Sequence, residues 1–279
     1  REKGNILGLR EFNLMDLRRR GYILEWYARN FLKQEGLIYL EYKFVNLFIN
    51  GEDHGIYVID ENITEATLTR NKRRDNISIR LDNNFIRDSI DLSMTNPVNA
   101  AFDNSFVTTE IDTLNENIKK KETILKSSNK KIISKPDPER IKNYNIAYNL
   151  IDKFRKGLLK AEEVFDIDQL AKGFAASDIL DGWHGIHWAN MSFYLNPISL
   201  KLEPIFQDWY NEGYISSPNE VKQRHIRYLD VYNYGIFYKN IFLSEEFLKK
   251  YVYYLEVYSE DEYLKKFNFK IKNEFNKNL

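Results

Sequence analysis

The order of local patterns along the chain predicts an α+β fold. Short aromatic and β-branched runs bounded by Gly and Asn fill the N-terminal part, and helix-period runs dominate the C-terminal part. Strands do not alternate regularly with helices, as a parallel doubly wound sheet would require. With 279 residues, 43% hydrophobic and 15% aromatic, the chain can bury a sizeable core in one large or two closely packed lobes. The expected division is a strand-rich part over 1–106, a helical connector or insertion over 107–165, and a helical part over 166–279 that also holds a short hairpin.

Taken in order, residues 18–34 place Ile23, Leu24, Trp26, Tyr27, Phe31 and Leu32 at helical spacing, with Gly36 as the stop. Tyr39 to Ile49 reads as a strand, Asn50-Gly51 as a turn, and Gly55 to Ile59 as the returning partner. Glu61 lies just past that strand, a short helix runs to Arg70, and Ile77 to Leu81 is extended. From Val107 to Lys131 the apolar residues Ile111, Leu114, Ile118 and Leu125 fit one helix face, until Pro136 and Pro138 interrupt it. Helices are expected over 138–157 and 168–180, the second capped by Asp166 or Asp168. Residues 211–219 read as a loop, and two further helices, capped by Ser244 and Ser259, close the chain.

The densest chemistry lies between Trp183 and Tyr210, a window that holds three of the four tryptophans and two of the four histidines. Ser192 to Leu195 and Leu200 to Phe206 are apolar runs joined by Asn196-Pro197-Ile198-Ser199, whose Asn-Pro step favours a turn, so a hairpin is predicted. Pairing across that turn brings Asn190 and Asp208 to the same end. There a carboxamide and a carboxylate oxygen can hold a magnesium ion on a nucleotide phosphate.

The window carries the pattern H-x5-N-x-x-F-Y-x-N-P-x-(S/T)-x-x-L-E-P-I-x-x-D as His184, Asn190, Phe193, Tyr194, Asn196, Pro197, Leu202, Glu203, Pro204, Ile205 and Asp208. Together with RGYILEWYARNFLKQEGLIYLEYKFVNLFINGEDHGIYVIDENI, RRDNISIRL and the C-terminal LSEEFLKKYVYYLEVYSEDEYLKKF, it resembles the CotH kinase family of spore-coat and related bacterial proteins. The resemblance implies an atypical protein-kinase-like fold with a strand-rich N-terminal lobe and a mainly helical C-terminal lobe. It also implies ATP and magnesium as cofactors and transfer of the γ-phosphate to a Ser or Thr hydroxyl of a coat or cell-surface protein. On this resemblance Asn190 and Asp208 form the magnesium pair, and Glu61 is the phosphate-side glutamate. Arg80 stands where many members have lysine, and its planar fork is not equivalent to a lysine point charge. His184 stands where related members carry Asp, and a neutral imidazole can accept a hydroxyl proton. Tyr210 replaces a second acid. These departures keep open a catalytically weakened binding or assembly factor, and also transfer of AMP in place of phosphate.

Each residue also has an ordinary reading. Asn190 can serve a turn, His184 and His187 can be hydrogen-bonded structural histidines, Arg80 and Glu61 can form a plain ion pair, and the tryptophans can simply pack. With 41 basic and 41 acidic side chains there is no global field for nucleic acid or an anionic membrane. Zero cysteines exclude disulfides, thiolate zinc sites and cysteine nucleophiles. No Walker loop, GxGxxG, GxSxG or HExxH occurs, and His54 and His225 lack zinc spacing. No transmembrane run is visible. The chain opens on Arg1 in place of Met and is read as a fragment, with an exported, surface or coat location expected from the resemblance.

Overall fold

The computed structural model describes residues 4–17, 23–82, 106–109, 137–187, 190–209 and 236–278. It is a mixed α+β fold with small antiparallel sheets, and about half of the described residues are helical. Strand β1 (Phe12–Asp16) is followed by helix α1 (Leu24–Gln34), β2 (Tyr42–Ile49), β3 (Glu52–Glu61), α2 (Glu65–Arg70), β4 (Ser78–Asp82) and β5 (Phe106–Thr109). Then come α3 (Pro138–Arg155), α4 (Ala161–Val164), α5 (Ile167–Leu180), a 3-10 turn (Trp183–Ile186), β6 (Ser192–Leu195) and β7 (Leu202–Ile205). Helices α6 (Ile236–Phe242), α7 (Glu245–Ser259) and α8 (Asp261–Asn278) complete the order.

Local sequence accounts for most of these boundaries. Helix α1 buries Trp26, Ala28, Phe31 and Leu32, and ends as Leu37 N donates to Leu32 O at 3.0 Å around Gly36. The β2–β3 hairpin turns on Asn50 (φ 53°) and Gly51 (φ 88°), the paired left-handed residues of the turn that best matches strand twist. Helix α2 opens on a capping box between Thr64 and Thr67. Asp166, not Asp168, caps α5 by accepting from Gln169 N at 3.1 Å, and Ser244 caps α7 by accepting from Phe247 N at 3.2 Å.

One sheet has the order β1-β3-β2, and a second has the order β5-β4-β6-β7, all neighbours antiparallel. The second sheet crosses the boundaries expected at 106 and 165, because β4 of the first segment pairs directly with β6 of the last. Phe106–Thr109 is a strand against β4, where a helix was expected to begin at Val107; its β-branched Val-Thr-Thr suits a pleated ladder. The remainder of the expected connector helix, the expected loop at 211–219, His225 and Tyr210 lie outside the described residues. Helix α6 has no counterpart in the sequence expectations.

The core is strongly aromatic. Phe154, Phe165, Phe193 and Phe237 are fully buried, with ring centroids of 5.0 Å for Phe154–Phe165 and 5.3 Å for Phe165–Phe193. Fully burying such a ring contributes about 1.5–3 kcal/mol. Phe31 extends this core by meeting Tyr258 and Phe267 edge-on, which ties α1 to α7 and α8. Among the described residues, no helix is long and apolar enough to cross a membrane.

Candidate functional site

The β6–β7 hairpin sets the site's frame, and Asn196 sets the hairpin. Its Oδ1 accepts from Ile198 N at 2.8 Å and Ser199 N at 3.3 Å, while its Nδ2 donates to Glu203 Oε1 at 2.6 Å. Arg73 Nε then holds the other Glu203 oxygen at 2.6 Å. The register pairs Ser192 with Ile205 and Leu195 with Leu202. Asn190, two residues before Ser192, and Asp208, three residues after Ile205, therefore lie at the same end of the sheet, as the sequence predicts. Arg80 is opposite Ser192 on β4, so the same end also receives Arg80.

Backbone geometry singles out Asp208. Its φ is 60°, the left-handed region that Asp tolerates better than most residues, between the fully buried Phe206 and Trp209. The Trp209 ring packs closely against two glycines. A Cβ would meet ring atoms at 2.5 Å on Gly182 and at 2.8 Å on Gly185. Gly182 precedes the 3-10 turn that carries His184 and Gly185 lies within it, so the turn and the residue after Asp208 are packed directly together.

Asn190 joins the same cluster. Its Nδ2 donates to His184 O at 3.0 Å and its backbone N to His187 O at 2.8 Å. Anchoring the carboxamide through nitrogen directs Oδ1 to serve as the acceptor. The His184 ring is 4.0 Å from that of Trp183, centroid to centroid.

The residue after Asp208 is also held from the N-terminal part of the chain. Trp209 N donates to Glu25 Oε2 at 2.5 Å, and the other oxygen of Glu25 accepts from Arg29 Nε at 2.6 Å. Arg29 Nη2 in turn reaches Asp60 Oδ1 at 3.2 Å. Burial disfavours the Arg29 charge, but Glu25 and Asp60 outweigh it and raise its pKa above the ordinary arginine value. Glu25 and Arg29 had no place in the sequence expectations. Their signal was available: two charged residues four apart on a helix face otherwise made of Trp26, Ala28 and Phe31.

Glu61 requires a correction. It does not pair with Arg80; its buried carboxylate pairs with Arg70, whose Nη1 donates to Oε1 at 2.9 Å and whose Nη2 bonds Oε2. Thr67 Oγ1 donates to Glu61 Oε1 at 3.1 Å, and Glu41 N donates to Oε2 at 2.8 Å. The cause is α2, which turns the chain back so that Thr67 and Arg70 cover the end of β3. Glu61 and Arg80 also lie on different sheets. Arg80 is exposed, alternating with the buried Ile79 along β4.

Among the described residues no three His, Asp or Glu side chains gather into a metal cluster. The donor set at the hairpin end is one carboxylate and one carboxamide. That set fits a hard cation such as magnesium, which takes few protein oxygens and keeps several waters. No family model matches the sequence, and no curated protein matches it.

Proposed function

We propose that the protein is a protein kinase of the CotH type that transfers the γ-phosphate of ATP, with magnesium, to a Ser or Thr hydroxyl of a coat or cell-surface protein. In this reading the β-rich and helical parts act as the two lobes of an atypical kinase. The observation that carries it is the convergence of Asn190, the left-handed Asp208 and the His184 turn at one end of the β6–β7 hairpin, with Arg80 in register beside them. Asp208 and Asn190 would hold the magnesium ion through oxygen, and the ion would neutralise charge on the phosphate oxygens. Arg80, exposed on β4, would grip a phosphate oxygen. His184 would take the proton of the acceptor hydroxyl as that oxygen bonds to phosphorus and ADP departs.

A catalytically weakened, nucleotide- or partner-binding assembly factor is the second reading. It is favoured by Glu61, whose carboxylate is already engaged by Arg70 and so does not orient Arg80. Transfer of AMP would use the same groups with the nucleotide reversed. Incubation with magnesium and ATP labelled separately on the α- and γ-phosphates, with protein substrates, separates the readings: γ-label on protein supports the kinase, α-label supports AMP transfer. Binding without transfer supports the weakened factor. Asp208→Asn should abolish magnesium-dependent ATP binding by calorimetry, and unchanged binding removes Asp208 from the site.

A further inference from the structure

The Glu25 carboxylate sits at 1% exposure and divides its two oxygens between two parts of the protein. Oε1 takes Arg29 Nε at 2.6 Å within α1, and Oε2 takes the backbone N–H of Trp209 at 2.5 Å, across 184 residues of sequence. Trp209 is the residue that follows Asp208. The peptide unit joining the two therefore presents its N–H to Glu25. A charge-assisted hydrogen bond of this length is among the strongest that a neutral amide makes. It acts on a backbone already turned into the left-handed region at Asp208, φ 60°, which needs surrounding contacts to persist. The Trp209 ring, packed on Gly182 and Gly185, prevents the peptide from relaxing on its other side.

Arg29 fixes Glu25 in turn. Arg29 is 3% exposed and its guanidinium spans from the buried Glu25 to the partly buried Asp60 on β3, so α1, β3 and the Trp209 amide are joined by one chain of polar contacts. Removing the Glu25 charge leaves Arg29 with Asp60 and frees the Trp209 amide.

We infer that Glu25 is a positioning residue for Asp208: through the Trp209 amide it holds the Asp208 carboxylate in the direction that magnesium binding requires. This rests on the magnesium-nucleotide reading of the site. Glu25 touches neither metal nor nucleotide. It acts on the backbone beside a ligand, as supporting hydrogen bonds around metal sites do, and loss of such a bond typically lowers metal affinity by about 10- to 100-fold.

The sequence allows a direct test. The step Asp208-Trp209 is the chain's single Asp-Trp pair, so labelling the full chain with [1-13C]aspartate and [15N]tryptophan selects this one amide by NMR. In the wild-type protein that proton should resonate far downfield, and in Glu25→Gln it should move upfield. Calorimetry with ATP and magnesium should show about 10- to 100-fold weaker magnesium-dependent binding in Glu25→Gln, with a cooperative melt retained. Glu25→Asp keeps a carboxylate for Arg29 but is one methylene short of Trp209 N. It should give the same upfield move and weakening, and it serves if the Gln variant does not fold. An ordinary amide shift in the wild type overturns the inference. So does a variant that loses the downfield shift yet binds magnesium and ATP as the wild type does. Wild-type protein that binds no magnesium nucleotide, with the downfield amide present, instead overturns the reading of the site and with it the purpose assigned to Glu25.

Discussion

Glu61→Ala separates the Glu61–Arg70 ion pair from the Glu61–Arg80 pair that the sequence leaves open. In the wild type the carboxylate is 4% exposed and accepts from Arg70, Thr67 Oγ1 and Glu41 N. Truncation leaves the Glu41 amide without that acceptor, at about 1–3 kcal/mol. Thr67 keeps its bond to Asn62 O and loses less. Breaking a fully buried ion pair costs about 3–5 kcal/mol. The Arg70 side chain is 27% exposed and can recover hydration, so its share falls toward the roughly 1 kcal/mol of a surface pair. The sum is about 2–4 kcal/mol, measurable by urea unfolding with circular dichroism. A double-mutant cycle makes the assignment specific: Glu61 and Arg70 should couple by about 1–3 kcal/mol, whereas Glu61 and Arg80 should be additive within about 0.5 kcal/mol. Arg80→Ala alone, at an exposed position, should change stability by no more than about 1 kcal/mol. A loss below about 1 kcal/mol for Glu61→Ala, or coupling to Arg80 as large as to Arg70, would refute the reasoning.

Two further substitutions test the frame of the site. Gly173→Ala, in the middle of α5, would ordinarily gain about 1 kcal/mol from helix propensity. Its new Cβ would stand 1.9 Å from Phe206 Cζ, so the sign should reverse to a net loss of about 2 kcal/mol or more, read as a lowered melting temperature. Tyr194 donates its hydroxyl to Arg74 O at 2.8 Å, and burial, with nearby Glu203, pushes its phenol up from 10.0 to about 12. Because the folded value lies above the unfolded one, this group's contribution is complete below pH 10 and fades as pH rises toward 12. Tyr194→Phe should lose about 1 kcal/mol at neutral pH and flatten that alkaline slope in unfolding measured against pH. An unchanged slope assigns the alkaline loss to other groups.

What could be read from the sequence alone was local. The Asn50-Gly51 turn, the stop at Gly36, the Asn196-Pro197 turn and the Ser244 cap each depend on backbone preferences and hydrogen bonds that reach three or four residues. Because strand pairing across a known turn has a fixed register, those signals were also enough to bring Asn190 and Asp208 to one end of the hairpin. The residues that join distant elements were not legible in the same way. Arg70 reaches Glu61 because α2 folds back over the end of β3, and Glu25 reaches Trp209 N across 184 residues because the tertiary fold brings α1 to the segment that leaves the hairpin. Neither partner follows from periodicity, since a charged side chain on a helix or at a strand end has many carboxylates or amides of equal chemistry to choose from. Burial makes the choice. Once aromatic packing has brought particular faces together, a charge removed from water must take whatever partner shares its pocket.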